Sequence, residues 1–334
     1  SLEDNQGGLD LELPPLPVDQ IRDALYAVTP KHLGDSEYWA SWAKDVAHIA
    51  ALVIERIELL LEKREGRAAF NAFLKAIRKN LNSGIGEQEA VEMLAQHVLT
   101  RPIFDALFGG QSFSSENPVS QAMQRILDVL DRHGVDAETE KLERFYRDVA
   151  KRAALARSDE ARQDLIRNLY DTFFNEAFPS IAERLGIVYT PVEVVDFILH
   201  SVDHVLQSHF GTGLGGENVQ ILDPFTGTGT FIVRLLQSRL IDDSDLPRKY
   251  AQEIHANELV LLAYYIAAIN IESAYHARTQ EYRPFEGIVL TDTFQMGEAK
   301  QDDILEGDYL RRNSERVERQ KKLDIRVIVG NPPY

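Results

Sequence analysis

Cysteine is absent from the 334 residues. That excludes disulfides, zinc ribbons, cysteine nucleophiles and iron–sulfur clusters together, and it suits a reducing compartment. Long apolar runs are missing too, since none approaches the roughly 20 residues that span a bilayer. The start, Ser1-Leu2-Glu3-Asp4, has neither the basic nor the apolar region of a secretion signal. Basic residues are in deficit, with Lys+Arg 36 against Asp+Glu 53 and a net charge of −17. A wholly basic coat is therefore excluded, although a single basic groove is not. The remaining composition, 44% hydrophobic and 27% charged, is that of a globular chain. Its length accommodates about two domains. The expectation is a soluble cytoplasmic protein with no membrane partner.

Residues 1–18, which include Leu13-Pro14-Pro15-Leu16-Pro17, read as an acidic linker rich in Gly and Pro. Residues 19–185 read as an all-helical domain. Val46, Ile49, Ala50, Val53, Ile57, Leu60 and Leu61 recur at three- and four-residue spacing, an apolar stripe on one long helix beginning near Ser36. Gly66 marks its expected weakening or end. Further helices are expected over Glu87–Leu99, Ser120–Arg132, Glu138–Leu155 and Asp159–Phe178, with Pro102, Pro118 and Gly134 among the breakers.

From residue 186 to 334 the pattern alternates. Val192–Phe210 reads as a helix, followed by the Gly-rich break Gly211–Gly216. Strands are expected at Val219–Asp223, Ile254–Asn257, Gly287–Leu290 and Ile325–Val329, with helices at Thr230–Leu240 and Leu259–Ala274 between them. Such alternation implies an α/β fold of parallel βαβ units, with the ligand at the C-terminal ends of the strands. Between Asp292 and Asp324 lies a long connection, first acidic and then basic (Arg311, Arg312, Arg316, Arg319, Lys321, Lys322). It reads as a surface excursion whose basic half is either a phosphate contact or simply a solvated helix.

Asp223-Pro224-Phe225-Thr226-Gly227-Thr228-Gly229-Thr230-Phe231 leaves an apolar strand and opens a helix. Its glycines let backbone approach a ligand closely. The third Gly of a dinucleotide fingerprint is missing, Ile232 standing in its place, and no Lys followed by Ser or Thr makes it a P-loop. The Asp223 carboxylate repels a pyrophosphate and attracts an ammonium. Glu258 ends the next strand, where an acid can hold both hydroxyls of a ribose. Asp292 follows the third strand and can accept from an adenine amino group. Together these acids outline a pocket for a nucleoside with a cationic tail.

Asn331-Pro332-Pro333-Tyr334 follows the fourth strand. The two prolines impose a rigid, extended exit. Asn331 offers an amide oxygen, Pro332 a carbonyl and Tyr334 an aromatic face. A planar amino group stacked on Tyr334 can donate to both oxygens, which draws its nitrogen toward tetrahedral geometry and frees its lone pair. His200 and His204 share a helical face, but no third ligand accompanies them and no metal site is expected.

Asp223–Phe231 resembles the first S-adenosylmethionine motif of DNA N6-adenine methyltransferases, and Asn331–Tyr334 resembles their catalytic tetrapeptide. Tyr189-Thr190-Pro191 is similar to the segment that precedes the fold in the γ-class order and touches the methionine part of the cofactor. The stretches Met93–Phe108 and Ala177–Pro191 resemble the helical coupler of type ISP restriction–modification enzymes. The resemblance implies a Rossmann-like methyltransferase domain, here incomplete at its C-terminus, with S-adenosylmethionine as cofactor. It implies cofactor contacts from Tyr189, Thr190, Pro191, Asp223, Pro224, Phe225, Thr226, Gly227, Gly229, Glu258 and Asp292. The catalytic residues implied are Asn331, Pro332, Pro333 and Tyr334. The partners implied are double-stranded DNA and the helicase-like ATPase, nuclease and target-recognition domains of the same polypeptide. On this reading the chain is a fragment, inactive by itself. Two other functions stay open at this level. One is methylation of an amino group in RNA or a protein glutamine; the other is a non-catalytic coupling scaffold.

Overall fold

A computed structural model describes residues 35–107, 113–131, 190–296 and 309–332. The linker, the expected helices Glu138–Leu155 and Asp159–Phe178, and the domain boundary near Leu185 lie outside them. Five helices make up the described helical part: α1 (Asp35–Leu61), α2 (Arg64–Asn80), α3 (Glu87–Leu107), α4 (Phe113–Glu116) and α5 (Pro118–Asp131). The stripe on α1 is buried at Ile49, Ala50, Val53, Ile57, Leu60 and Leu61.

Two signals in this half, Gly66 and Pro102, act differently from their sequence reading, and Pro118 does mark a boundary. The break after α1 falls at Glu62–Lys63, and Gly66 lies inside α2. A Cβ on Gly66 would stand 2.4 Å from the Leu60 carbonyl oxygen, so the glycine permits close packing across the turn. Pro102 is carried inside α3 instead of ending it. Pro118 opens α5, where its missing N–H costs nothing. Asn117 caps that helix, its Oδ1 accepting from the N–H groups of Val119 and Ser120, each at 3.0 Å.

The second half contains α6 (Val192–Phe210), β1 (Gln220–Asp223), α7 (Thr230–Gln237), α8 (Leu246–Arg248) and a π-helical turn (Lys249–Glu253). β2 (Ile254–Glu258), α9 (Leu261–Thr279), β3 (Ile288–Leu290), α10 (Arg311–Gln320) and β4 (Ile325–Ile328) follow. The strands form one parallel sheet in the order β3-β2-β1-β4, the α/β architecture expected from the alternating pattern. Register pairs Asp223 with Ala256 and Glu258 with Leu290, so the strand ends form a common rim.

Helix α9 is apolar all round, and such a helix must be covered all round. It packs against α7, β2 and β3 on one side and α3 on the other. Tyr264 and Tyr265 carry the second contact. Asn117 Nδ2 donates to Tyr264 Oη at 3.1 Å, His97 Nδ1 lies 3.0 Å from Tyr265 Oη, and Phe104 meets the Tyr265 ring edge-on. The described residues from 43 onward accordingly fall in one compact unit.

One end and one edge of the sheet are closed by polar devices. At the N-terminal end, Lys249 is fully buried and donates from Nζ to the Val219 carbonyl at 2.7 Å and pairs with Glu253 at 2.9 Å. At the β3 edge, Asn313 is fully buried and bonds both backbone groups of Leu290, each at 2.9 Å. Helix α10 turns one face inward, with Arg316 buried, and keeps Arg311, Arg312 and Arg319 exposed, Arg312 donating to Gln121 of α5 at 3.0 Å.

Candidate functional site

Asp223, Glu258 and Asp292 stand at the C-terminal ends of three adjacent strands, and Gly330-Asn331 leaves the fourth beside them. The loop after β1 is tied to the end of β2 by its backbone. Thr226 N–H donates to the Asn257 carbonyl at 3.0 Å, and Gly227 N–H donates to Glu258 Oε2 at 2.7 Å. Gly227 adopts φ +56 with open space where a Cβ would point. Gly229 adopts φ +91, and a Cβ there would press on the Ala267 backbone at 3.3 Å. A side chain at either position is strained whatever the space.

Asp223 is completely buried. One carboxylate oxygen accepts from Phe225 N–H at 3.1 Å, while Oδ2 is buried without a partner. Gly330 fits against this carboxylate, since a Cβ there would lie 2.7 Å from Asp223 Oδ1. The exit of β4 and the Gly-rich loop are thus in contact, with Val329 N–H on the Leu222 carbonyl at 3.0 Å. Glu258 accepts from Leu259 and Val260 N–H at 2.9 and 2.7 Å as well as from Gly227.

Burial pushes the Asp223 carboxyl up to about 8; the Phe225 N–H opposes the rise and the nearby Glu258 adds to it. Burial likewise raises Glu258 to about 7, against the pull of three backbone N–H donors. Two carboxyls this reluctant to ionise call for a cation or hydroxyl donors to complete them. The cluster is suited to a ligand that carries both.

Beyond β3, Thr293 Oγ1 donates to the Pro224 carbonyl at 2.7 Å and receives Asn257 Nδ2 at 3.1 Å, which ties this exit to the loop. Asp292 is buried; its Oδ1 accepts from Phe294 N–H and its Oδ2 from Asn82 Nδ2, each at 2.9 Å. Phe225 and Phe294 lie with ring centroids 5.2 Å apart. Thr190 is half-buried, and Pro191 is exposed at the start of α6, its carbonyl accepting from Val194 and Val195. The Asp196–Arg234 pair, at 2.6 and 2.8 Å, fastens α6 to α7. Asn331 is half-buried and Pro332 exposed. Tyr189, Pro333 and Tyr334 lie outside the described residues. Among the described residues no group of three His, Asp or Glu is placed to hold a metal ion.

Sequence reasoning missed Asn82 and Asn257. Asn82 sits in the turn between α2 and α3, 210 positions from Asp292, and no local pattern joins the two. Asn257 was visible only as part of a strand.

Residues 38–161 match the family model of the coupler domain of type ISP restriction–modification enzymes, and residues 161–334 match that of the N-6 DNA methylases. The solved nuclease-deletion mutant of the type ISP restriction–modification enzyme LlaGI, in complex with a DNA substrate mimic, is 46% identical with a TM-score of 0.84. That match covers 95% of this chain and 26% of LlaGI. The ATP-dependent type ISP enzyme LlaBIII, solved bound to DNA, is 48% identical with a TM-score of 0.85, over 95% of this chain and 22% of its own. The DrdV–DNA complex matches at 33% identity and a TM-score of 0.80, covering 91% and 30%. No curated protein matches. The chain spans about a quarter of the length of these relatives. It belongs to the N-6 DNA methylase family and carries, ahead of that domain, the coupler domain of the type ISP restriction–modification enzymes.

Proposed function

We propose that the chain is the coupler and the cofactor-binding portion of an enzyme that transfers a methyl group from S-adenosylmethionine to N6 of an adenine in duplex DNA. In this reading the coupler joins the methyltransferase to an ATP-driven motor, a nuclease and a target-recognition domain. The observation that carries it is the buried Asp223 carboxylate, with one oxygen unpartnered, wedged between the Gly-rich loop and Gly330-Asn331. That is the place for a cationic amino-acid tail beside an amine-binding tetrapeptide. The relatives LlaGI, LlaBIII and DrdV, each solved with DNA or its mimic, support the choice of substrate.

The residues fit the cofactor. Asp223 offers its free oxygen to the ammonium, Gly227 leaves a cradle open, Glu258 takes the ribose hydroxyls and Asp292 the adenine amino group. Tyr189, Thr190 and Pro191 would hold the methionine end, with Pro224, Phe225, Thr226 and Gly229 shaping the loop. S-adenosylmethionine supplies an electrophilic methyl group on a sulfonium. The Asn331 side-chain oxygen and the Pro332 carbonyl each accept one hydrogen of the target amine, which localises its lone pair. Pro333 stiffens that exit. A base must leave the duplex to reach such a site, at a cost of a few kcal/mol. Stacking on Tyr334 offsets about 1–3 kcal/mol of this.

The test uses the full-length protein, duplex DNA and methyl-labelled cofactor. Asn331→Ala is expected to lower methylation by about 10²-fold or more while cofactor binding persists. Methylation near the unaltered level would remove Asn331 from the chemistry. Label recovered in RNA or protein instead of DNA would overturn the substrate.

A further inference from the structure

The α2–α3 turn of the helical part reaches the rim of the sheet. Asn82 Nδ2 donates to Asp292 Oδ2 at 2.9 Å, and its own Oδ1 accepts from Gly84 N–H at 2.7 Å. Both ends of the amide are engaged, so its orientation is set before any ligand arrives. Beside it opens a cleft of about 320 Å³, near the lower end of the volumes that hold small ligands. Asn82, Ile85, Met93 and Gln96 form one wall; Leu259 and Val260 form the other. Those last two residues directly follow Glu258 and donate their N–H groups to its carboxylate. The cleft therefore adjoins both acids through its lining, Leu259 and Val260 next to Glu258 and Asn82 bonded to Asp292. Gln96 is 2% exposed, and its amide oxygen has no hydrogen-bond partner. Apolar flanks from Met93, Leu259 and Val260, with Asn82, Glu89 and Gln96 as the polar groups, suit the faces and the hydrogen-bonding edge of a purine.

We propose that the coupler supplies one wall of the cofactor's purine subsite, with Asn82 positioning the Asp292 carboxylate and Gln96 facing the 6-aminopurine across the cleft. The inference rests on the proposed methyltransferase reading and adds that the helical part takes part in cofactor recognition. Asn82 acts through Asp292 and is a positioning residue. Any shift of the α2–α3 turn then alters cofactor affinity, which gives the coupler a direct route to the methyltransferase site.

The experiment titrates the full-length protein with S-adenosylhomocysteine and with S-inosylhomocysteine, which lacks the 6-amino group. The unaltered protein is expected to prefer the adenosine form by about tenfold, the value of one well-placed hydrogen bond. Asn82→Ala and Asn82→Ser should each weaken S-adenosylhomocysteine by about tenfold and erase most of that preference. The KM for S-adenosylmethionine should rise while kcat at saturation stays unchanged. Gln96→Leu removes an unpartnered oxygen, so folding is preserved, and it should weaken binding about threefold. Unchanged affinity and preference in the Asn82 and Gln96 variants, with loss of both in Asp292→Ala, overturns the coupler wall and leaves the methyltransferase reading standing. Failure of the unaltered protein to bind either nucleoside overturns both.

Discussion

Asp223 and Glu258 are carboxyls in a place that disfavours their charge. Burial holds them near 8 and 7, so the free site retains protons at neutral pH. A ligand that brings a cation and hydroxyl donors stabilises the anions and releases those protons. Cofactor affinity should therefore increase from pH 6 to pH 8. Calorimetry in buffers of different ionisation enthalpy should report proton release near pH 7, and Asp223→Asn should remove much of it. A binding heat independent of buffer would contradict the assignment. The stability of the unliganded fold runs the other way. A raised carboxyl binds more protons folded than unfolded, so its contribution is complete below the unfolded pKa near 3.8 and is lost as pH rises through about 8. Asp223→Asn should thus raise Tm more at pH 8.5 than at pH 5.

Among the elements, β3 illustrates how a sheet edge is closed without another strand. A bare edge offers unpaired backbone groups to any passing strand. Here the Asn313 amide accepts from Leu290 N–H and donates to Leu290 C=O, in the manner of a strand neighbour. Asn313→Ala leaves two buried backbone groups unsatisfied and should cost roughly 2–4 kcal/mol, seen as a lower denaturant midpoint at unchanged m. Asn313→Asp keeps the acceptor but sets a buried carboxylate oxygen against the Leu290 carbonyl, and should cost at least as much at neutral pH. A loss below about 0.5 kcal/mol in the alanine variant would mean that water replaces the amide. This edge also explains the connection after Asp292: it brings α10 back to cover β3 with Asn313, Arg316 and Val317, while Arg311, Arg312, Arg319, Lys321 and Lys322 form the solvated charged face.

In the molecule as a whole, the helical part and the sheet share a core through α9. His97 belongs to that shared surface, against Tyr265. Burial, with the Arg101 charge adding to it, pushes its imidazole down to about 4, so it is neutral in the fold. The unfolded chain takes up a proton near 6.5 that the folded one refuses. Its effect is therefore absent above pH 6.5, and stability is lost as pH falls from 6.5 to about 4, by up to roughly 3 kcal/mol. Thermal melts at pH 7.5 and pH 5 should show a smaller difference in His97→Gln than in the unaltered protein. Equal differences would place the acid sensitivity elsewhere, His255 being the next group pushed down to about 4 by burial.

The signals legible along the chain are local ones. The apolar strand before Asp223, the glycines after it and the prolines after Asn331 each set backbone geometry within a few residues, and the alternation of strand and helix implied a parallel sheet with its ligand at one rim. Gly66 and Pro102 act otherwise than as breakers because the same residue can break a helix or pack inside it, and only its neighbours in space decide which. Asn82 at Asp292, Asn313 at Leu290 and Gly330 at Asp223 were decided by the tertiary structure alone. Each joins segments far apart in the chain, and no periodicity encodes a hydrogen bond or a close approach between residues that meet only when the core has formed.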